Sequence, residues 1–215
     1  MKTILAITSL AAFNLAAAQK TTELKDFKSL TIGEDMHVNL VKSNQNKVVT
    51  NDIEESELEI EIKGGMLTLK GDDNNVTLYY KDALESVTAA SDSEIIGTDE
   101  IKTASFSITA ASDAKVALKL NVKKLTTTAN SDAVVTLTGS AGEHDATFSS
   151  DAVFNGQELL TENTSIVLSS DASGVITAKG TVNATVSSDG SLKIYGNPKK
   201  VNQTKGSDAQ IVVVQ

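Results

Sequence analysis

The fold is decided by the stretch Ser107-Ile108-Thr109-Ala110-Ala111-Ser112-Asp113-Ala114-Lys115-Val116-Ala117-Leu118. Apolar and polar residues alternate on both sides of Ser112-Asp113, which is the period of a β-strand with one face turned inward. Ser and Asp favour tight turns, and Asp in particular tolerates a left-handed backbone. The stretch therefore predicts a strand, a corner and a second strand.

This Ser-Asp-small tripeptide, here called a corner, occurs seven times in the chain. The copies are Ser91-Asp92-Ser93, Ser112-Asp113-Ala114, Ser131-Asp132-Ala133, Ser150-Asp151-Ala152, Ser170-Asp171-Ala172, Ser188-Asp189-Gly190 and Ser207-Asp208-Ala209. Successive aspartates are 21, 19, 19, 20, 18 and 19 residues apart, which is typical of a solenoid built from stacked repeats. We expect an all-β fold: a single-stranded parallel β-helix, right-handed, of about seven regular coils with an irregular N-terminal β cap.

The first residues have the pattern of a secretory signal peptide. Lys2 supplies a positive charge, residues 4–15 are mostly apolar, and Ala16-Ala17-Ala18 provides the small residues of a cleavage site. We expect cleavage between Ala18 and Gln19, with export of the protein to the periplasm, the outer surface or the medium. The apolar stretch is too short to cross a bilayer core of roughly 30 Å, and no transmembrane segment is predicted.

The rest of the chain divides into two regions of one domain. Residues 83–215 follow the repeat with a period of about 19, and residues 19–82 do not. Within the latter, Leu58-Glu59-Ile60-Glu61-Ile62 and Met66-Leu67-Thr68-Leu69 flank Gly64-Gly65, which predicts a hairpin with a primed turn. Because terminal units of a solenoid cap its core, we interpret residues 19–82 as irregular first coils or a cap.

The last residues, Ile211-Val212-Val213-Val214-Gln215, predict an apolar edge strand. An unpaired edge of this kind pairs with another chain unless it is covered. Two alternatives follow: the preceding side chains cover the edge, or the protein forms a homo-oligomer through it.

Composition excludes several classes of function. The net charge is −9 and the chain has no Arg, so it cannot easily build the basic patch that nucleic-acid binding requires. The absence of Cys excludes a lipid-modified cysteine anchor, disulfides and thiolate metal sites. Aromatic residues make up only 4% of the chain, which predicts a core of small and β-branched side chains.

The order of the segments resembles a known bacterial family. Phe27-Lys28-Ser29-Leu30-Thr31-Ile32-Gly33 is followed by Met36-His37-Val38-Asn39-Leu40, then by the hairpin and by β-coils with Ser-small corners. This order, over roughly residues 27–213, is similar to that of the putative auto-transporter adhesin, head GIN domain family. The family usually has Ser-Gly-Ala/Ser at the corner. The resemblance implies an exported envelope β-helix with an adhesin role, and it supplies no catalytic residues.

Stacking in register would align the corner aspartates in a column. Its members are Asp113, Asp132, Asp151, Asp171, Asp189 and Asp208, with Asp92 at one end. Carboxylates about 5 Å apart repel by roughly 1 to 3 kcal/mol at surface-like dielectric constants. The favoured interpretation is turn chemistry, in which Asp adopts a left-handed backbone and its carboxylate accepts a nearby backbone N–H. The alternative is a column of Ca²⁺ ions between the coils, although one Asp per coil supplies few ligands. A calcium-dependent rise in melting temperature would identify such ions.

No catalytic or cofactor-binding constellation stands out. Glu143-His144-Asp145 is the one group that combines acid and base types, and its place beside Gly142 predicts a solvated loop. His37 lies in an alternating strand and is expected to be a packing or surface residue. The two histidines also lack the spacing of a metal site.

We therefore expect a non-enzymatic exported envelope protein that binds a glycan or a protein through a polar β-helix face, without a cofactor. One alternative is a polysaccharide-active enzyme that uses the aspartate column. The other is a structural protein that assembles through its open terminal coil.

Overall fold

The computed structural model describes residues 20–50, 58–72 and 74–214, and the predicted signal peptide and its cleavage site lie outside these residues. The described residues form strands and turns only. The strands are β1 (Lys20–Glu23), β2 (Ser29–Ile32), β3 (His37–Lys42), β4 (Lys47–Thr50), β5 (Glu59–Lys63), β6 (Met66–Lys70), β7 (Asn75–Tyr80), β8 (Ser86–Ala89), β9 (Glu94–Ala110), β10 (Lys115–Ala129), β11 (Val134–Phe148), β12 (Val153–Leu168), β13 (Ser173–Ala178), β14 (Thr181–Val186), β15 (Ser191–Tyr195), β16 (Lys200–Lys205) and β17 (Gln210–Val213).

The strands stack as the coils of a parallel β-solenoid of about seven turns, as the sequence predicts. Each corner joins a segment that approaches it to a segment that leaves it. The long strands β9 and β10 each begin with a segment that leaves one corner and end with a segment that approaches the next. They pair in parallel at both ends, where Glu94 aligns with Lys115 and Ala110 aligns with Ala129. The outward surfaces of the two kinds of segment are here called the approach face and the exit face. The right-handed sense of the coil stays a prediction.

The core runs through the middle of the stack and is made of aliphatic side chains. In β14, Val182, Ala184 and Val186 point inward and are buried, while the residues between them face outward. The strand period of two thus sorts apolar from polar residues. Phe148 and Phe154 add the one stacked aromatic pair of the described residues, with ring centroids 5.0 Å apart. The predicted core of small and β-branched residues is confirmed, with leucines added.

The first coils do not stack in chain order. The β2–β3 coil lies between the β6–β7 coil, which comes later in the chain, and the β8–β9 coil. On the outer side of the β6–β7 coil, β5 pairs with β6 and β4 pairs with β7, both antiparallel. β1 in turn pairs with β4, also antiparallel. Antiparallel strands therefore close this end of the parallel stack. The predicted hairpin is confirmed, since Gly64 and Gly65 have φ of 60° and 80° and join β5 to β6.

The last described coil has a mixed edge. β17 pairs only with β15 among the described residues, and Val212 and Val213 are 49% and 38% exposed. In β16, Lys205 aligns with the buried Val186, and its Nζ donates to the carbonyl of Ile211 at 3.4 Å. The Lys205 side chain thus covers part of the core at this end of the stack, while Val212 and Val213 remain exposed to solvent. Within the described residues, no helix is long and apolar enough to cross a membrane.

Candidate functional site

The corners are tight turns with two left-handed residues each. Ser112 and Asp113 have φ of 54° and 63°, and the N–H of Ala114 donates to the carbonyl of Ala111 at 3.3 Å. Two successive positive φ values are the signature of a type I′ turn, which favours short polar residues. Six corners share this pair of positive φ values, and the seventh has it only at Asp208.

A line of hydrogen bonds connects the corners. In the six corners from Asp92 to Asp189, the N–H of the corner aspartate donates to the carbonyl of the corner serine in the following coil, at 2.9 to 3.4 Å. The line begins one coil earlier than the repeat does, because Asp35 donates to Ser91 at 3.0 Å and both Glu34 and Asp35 have positive φ. Glu34-Asp35 is therefore an eighth corner. Sequence analysis missed it because it lacks the Ser-Asp pair.

The corner side chains themselves face solvent. Every corner serine and aspartate is exposed, and no corner carboxylate has a hydrogen bond or an ion pair within the described part of the chain. The turn interpretation thus holds for the backbone, whereas the expected bond from a carboxylate to a nearby N–H does not form. No group of three or more His, Cys, Asp and Glu residues among the described positions is arranged to hold a metal ion. The calcium column stays a prediction without support from this geometry.

Two columns of outward residues on the approach face are rich in hydroxyl side chains and are together here called the hydroxyl face, although the second column has a hydroxyl at only five of its nine positions. The register of the strands places Thr in eight of nine successive positions of the first column. That column is Thr68, Thr31, Thr88, Thr109, Thr128, Thr147, Val167, Thr185 and Thr204. The second column is Met66, Ser29, Ser86, Ser107, Thr126, Asp145, Ser165, Asn183 and Asn202. No sequence motif flags these columns, because they become visible only when the strand register is known.

The exit face has a different composition. Its column equivalent to the threonines is Thr77, Asn39, Ile96, Ala117, Thr136, Asn155, Val175, Lys193 and Val212. His37 lies on this face, with Nδ1 at 3.3 Å from Oε2 of Glu94, beside a shallow depression of about 300 Å³. The expectation of a surface residue is thus correct for His37.

His144 contradicts the predicted solvated loop. It lies within β11, is 1% exposed, and packs against Phe154 with ring centroids 5.3 Å apart. Nε2 lies 3.1 Å from Oγ1 of Thr127, whereas the buried Nδ1 has no partner. Burial lowers the pKa of His144 to about 4, although the nearby Asp145 carboxylate partly opposes the shift. The imidazole is therefore neutral at pH 7.

The residues on either side of His144 in the sequence face solvent, whereas His144 faces the core. Glu143 and Asp145 face outward, and Asp145 pairs with Lys124 at 3.6 Å. The acid and base groups of this segment thus lie on opposite sides of the strand and cannot act together. Gly142 suggested a loop, but it serves close packing of coils: a Cβ there would lie 2.8 Å from the carbonyl oxygen of Lys123.

The model of a family described as "Putative auto-transporter adhesin, head GIN domain" matches residues 26–198. The chain belongs to this family. The resemblance found in the sequence is thereby confirmed, and the description of the family is that of a putative adhesin. No curated protein matches the chain.

Solved structures share the fold of this head GIN domain. A putative adhesin from Bacteroides fragilis NCTC 9343 has a TM-score of 0.84 at 15% identity, covering 91% of this chain and 96% of its own. A putative adhesin from Parabacteroides merdae ATCC 43184 has a TM-score of 0.74 at 17% identity, covering 92% and 96%. A putative lipid binding protein from Parabacteroides distasonis ATCC 8503 has a TM-score of 0.72 at 14% identity, covering 92% and 97%. At these identities the likeness concerns the fold.

Proposed function

We propose that this head GIN domain protein is exported and acts at the cell envelope as a non-enzymatic, adhesin-like binding protein for a glycan or a protein. The observation that carries the proposal is the hydroxyl face, a long polar surface that the solenoid holds in fixed register. Such a surface suits an extended ligand that contacts several coils at once. Adhesin is also the description of the family.

The arrangement of the carboxylates favours binding over catalysis. Glycoside hydrolysis requires two carboxyl groups that face each other across the scissile bond. The corner aspartates instead form one exposed row along the turns, with side chains free of partners in the described chain. His144 is buried away from Glu143 and Asp145.

Two parallel assays on the purified protein test this function. We expect binding to at least one member of a glycan array or of a panel of envelope and host-surface proteins, with no release of reducing sugar from the glycans. Release of sugar that is abolished by Asp132→Asn and Asp151→Asn would instead establish the enzyme.

Assembly is a second candidate, favoured by the open valines of β17. An exposed apolar edge strand is a template for pairing with another chain. Light scattering would then show an oligomer that Val212→Lys converts to a monomer, whereas a monomeric protein at high concentration would exclude this role.

A further inference from the structure

The approach face and the exit face of the solenoid differ in their content of Thr. Both are rows of outward positions on parallel strands, so the β-propensity of Thr favours it equally on each. Yet Thr fills eight of nine positions in the first column of the hydroxyl face and two of nine in its counterpart on the exit face. Propensity alone does not produce this asymmetry, which indicates a requirement specific to the approach face.

The hydroxyl groups are available and ordered. None of the first-column threonines has a side-chain hydrogen bond within the described residues, so their hydroxyls are open to water or to a ligand. Thr109 and Thr147, for example, are exposed. The β-branched side chain restricts χ1, and the parallel strands fix the backbone. A ligand would therefore lose little free energy in ordering the protein side of the contact.

The spacing of the columns suits a repeating ligand. Successive coils lie about 4.8 Å apart, and residues two apart on one strand are separated by about 6.6 Å. The face thus offers at least one hydroxyl at every step along the stack axis, and a pair of hydroxyls at the four successive steps from Thr31 to Thr128. Each hydrogen bond replaces one to water and contributes little, so useful affinity needs many of them in one ligand.

The charges select a neutral ligand. Asp145 is the only charged residue in the two columns, and it is paired with Lys124. The row of corner aspartates runs along one border of the hydroxyl face, only four residues beyond the threonines, as Asp113 follows Thr109. That row would repel a polyanion such as a uronic-acid polymer. The two columns themselves also contain no Lys to attract an acidic protein, although Lys124 and Lys200 border the second column.

We propose that the hydroxyl face binds a neutral polysaccharide chain that lies along the stack axis and contacts successive coils. This inference rests on the proposed function and specifies its ligand. Hydroxyl groups of the sugars would donate to and accept from the threonine and serine hydroxyls. The affinity would increase with the length of the glycan until the chain spans the column.

The test uses the full mature protein and biolayer interferometry against immobilised laminarin, xylan and mannan, with alginate as the anionic comparison. Thr109→Val, Thr128→Val and Thr147→Val together remove three hydroxyls and keep the β-branched shape. At about fivefold per hydrogen bond, we expect about a hundredfold weaker binding. Val167→Thr completes the column, for which we expect about fivefold tighter binding. The double variant Thr77→Val/Thr136→Val on the exit face is the control and should bind as the wild type does, although it also removes the hydroxyl of Thr136 that accepts from Nδ2 of Asn155 at 3.3 Å.

Oligosaccharides of the bound polysaccharide, from disaccharide to octasaccharide, test the predicted length dependence by competition. If a glycan binds but the triple variant retains wild-type affinity, the inference is overturned and the proposed function stands. Preference for alginate, or binding to none of the neutral polysaccharides, also overturns it. The proposed function fails if the glycan array and the protein panel are both negative, or if the protein releases sugar and the Asp132→Asn and Asp151→Asn variants do not.

Discussion

Ser93 is a buried hydroxyl at a position where five of the other six Ser-Asp corners have alanine. It occupies the third corner position, is fully buried, and its Oγ has no hydrogen-bond partner. The equivalent Ala114 and Ala133 are also fully buried. A buried hydroxyl without a partner costs about 1 to 3 kcal/mol.

We therefore expect Ser93→Ala to raise the free energy of unfolding by about 1 kcal/mol, because it removes this penalty without leaving a large cavity. Urea denaturation followed by circular dichroism measures the change. The converse variant, Ala133→Ser, should lower the stability by a similar amount, and a stabilising Ala133→Ser would contradict the explanation.

His144 gives the fold a pH dependence of definite sign. Its pKa is about 4 in the folded protein, below the ordinary value of 6.5. Above pH 6.5 the imidazole is neutral in both states and contributes no pH dependence. Between pH 6.5 and 4 the unfolded chain takes up a proton that the folded one does not, so the free energy of unfolding falls by about 3 kcal/mol in total.

The double variant His144→Leu/Thr127→Val removes the imidazole together with its hydroxyl partner. We expect its stability to change less than that of the wild type between pH 7 and about pH 4. Thr127→Val alone keeps the histidine and should retain the wild-type pH dependence. If the free energy of unfolding of the wild type and of the double variant depended on pH in the same way, His144 would not be the titrating group.

At the scale of the element, the corner turn depends on its left-handed backbone. Asp132 has φ of 63°, which costs an alanine roughly 1 to 2 kcal/mol and a glycine nothing. We expect Asp132→Ala to lower the melting temperature by several degrees. Asp132→Gly should stay within about 1 kcal/mol of the wild type, because the lost chain entropy is offset by relief of charge repulsion. Equal melting temperatures for the Ala and Gly variants would exclude a steric role for the backbone conformation.

The strands and corners of the repeats could be predicted because local chemistry determines them. The alternation around Ser112-Asp113 specifies both strands, and the turn needs only short polar residues. The corner at Glu34-Asp35 could not be predicted because it lacks the Ser-Asp pair, although its backbone makes the same bond to the next corner, at Ser91, as the others do. The prediction of a solvated loop at His144 was wrong because the local sequence does not reveal that Gly142 packs against the backbone of Lys123 in the neighbouring coil. The hydroxyl face likewise depends on register between distant residues.

At the scale of the whole molecule, contacts are almost all between neighbouring coils, so stability should be a sum over coils. Deletion of residues 115–133 removes one complete repeat and joins Ala114 to Val134, which occupy adjacent positions in the line of coils. We expect a folded protein with the same circular dichroism spectrum per residue and a modestly lower melting temperature. Deletion of residues 115–124 disrupts the alignment of inward residues and should prevent folding. Unfolding of the whole-repeat deletion would contradict the modular account.

The placement of β2–β3 bears on how the chain is made. Both edges of β2 are occupied by strands that come later in the sequence, β6 on one side and β8 on the other. The same holds for β3, which lies between β7 and β9, so the β2–β3 coil is completed only after residues 66–96 have been synthesised. Before those residues are available, β2 has no strand to pair with on either edge. The N-terminal end of the solenoid therefore forms only when the later strands β6 and β8 add to the two edges of β2.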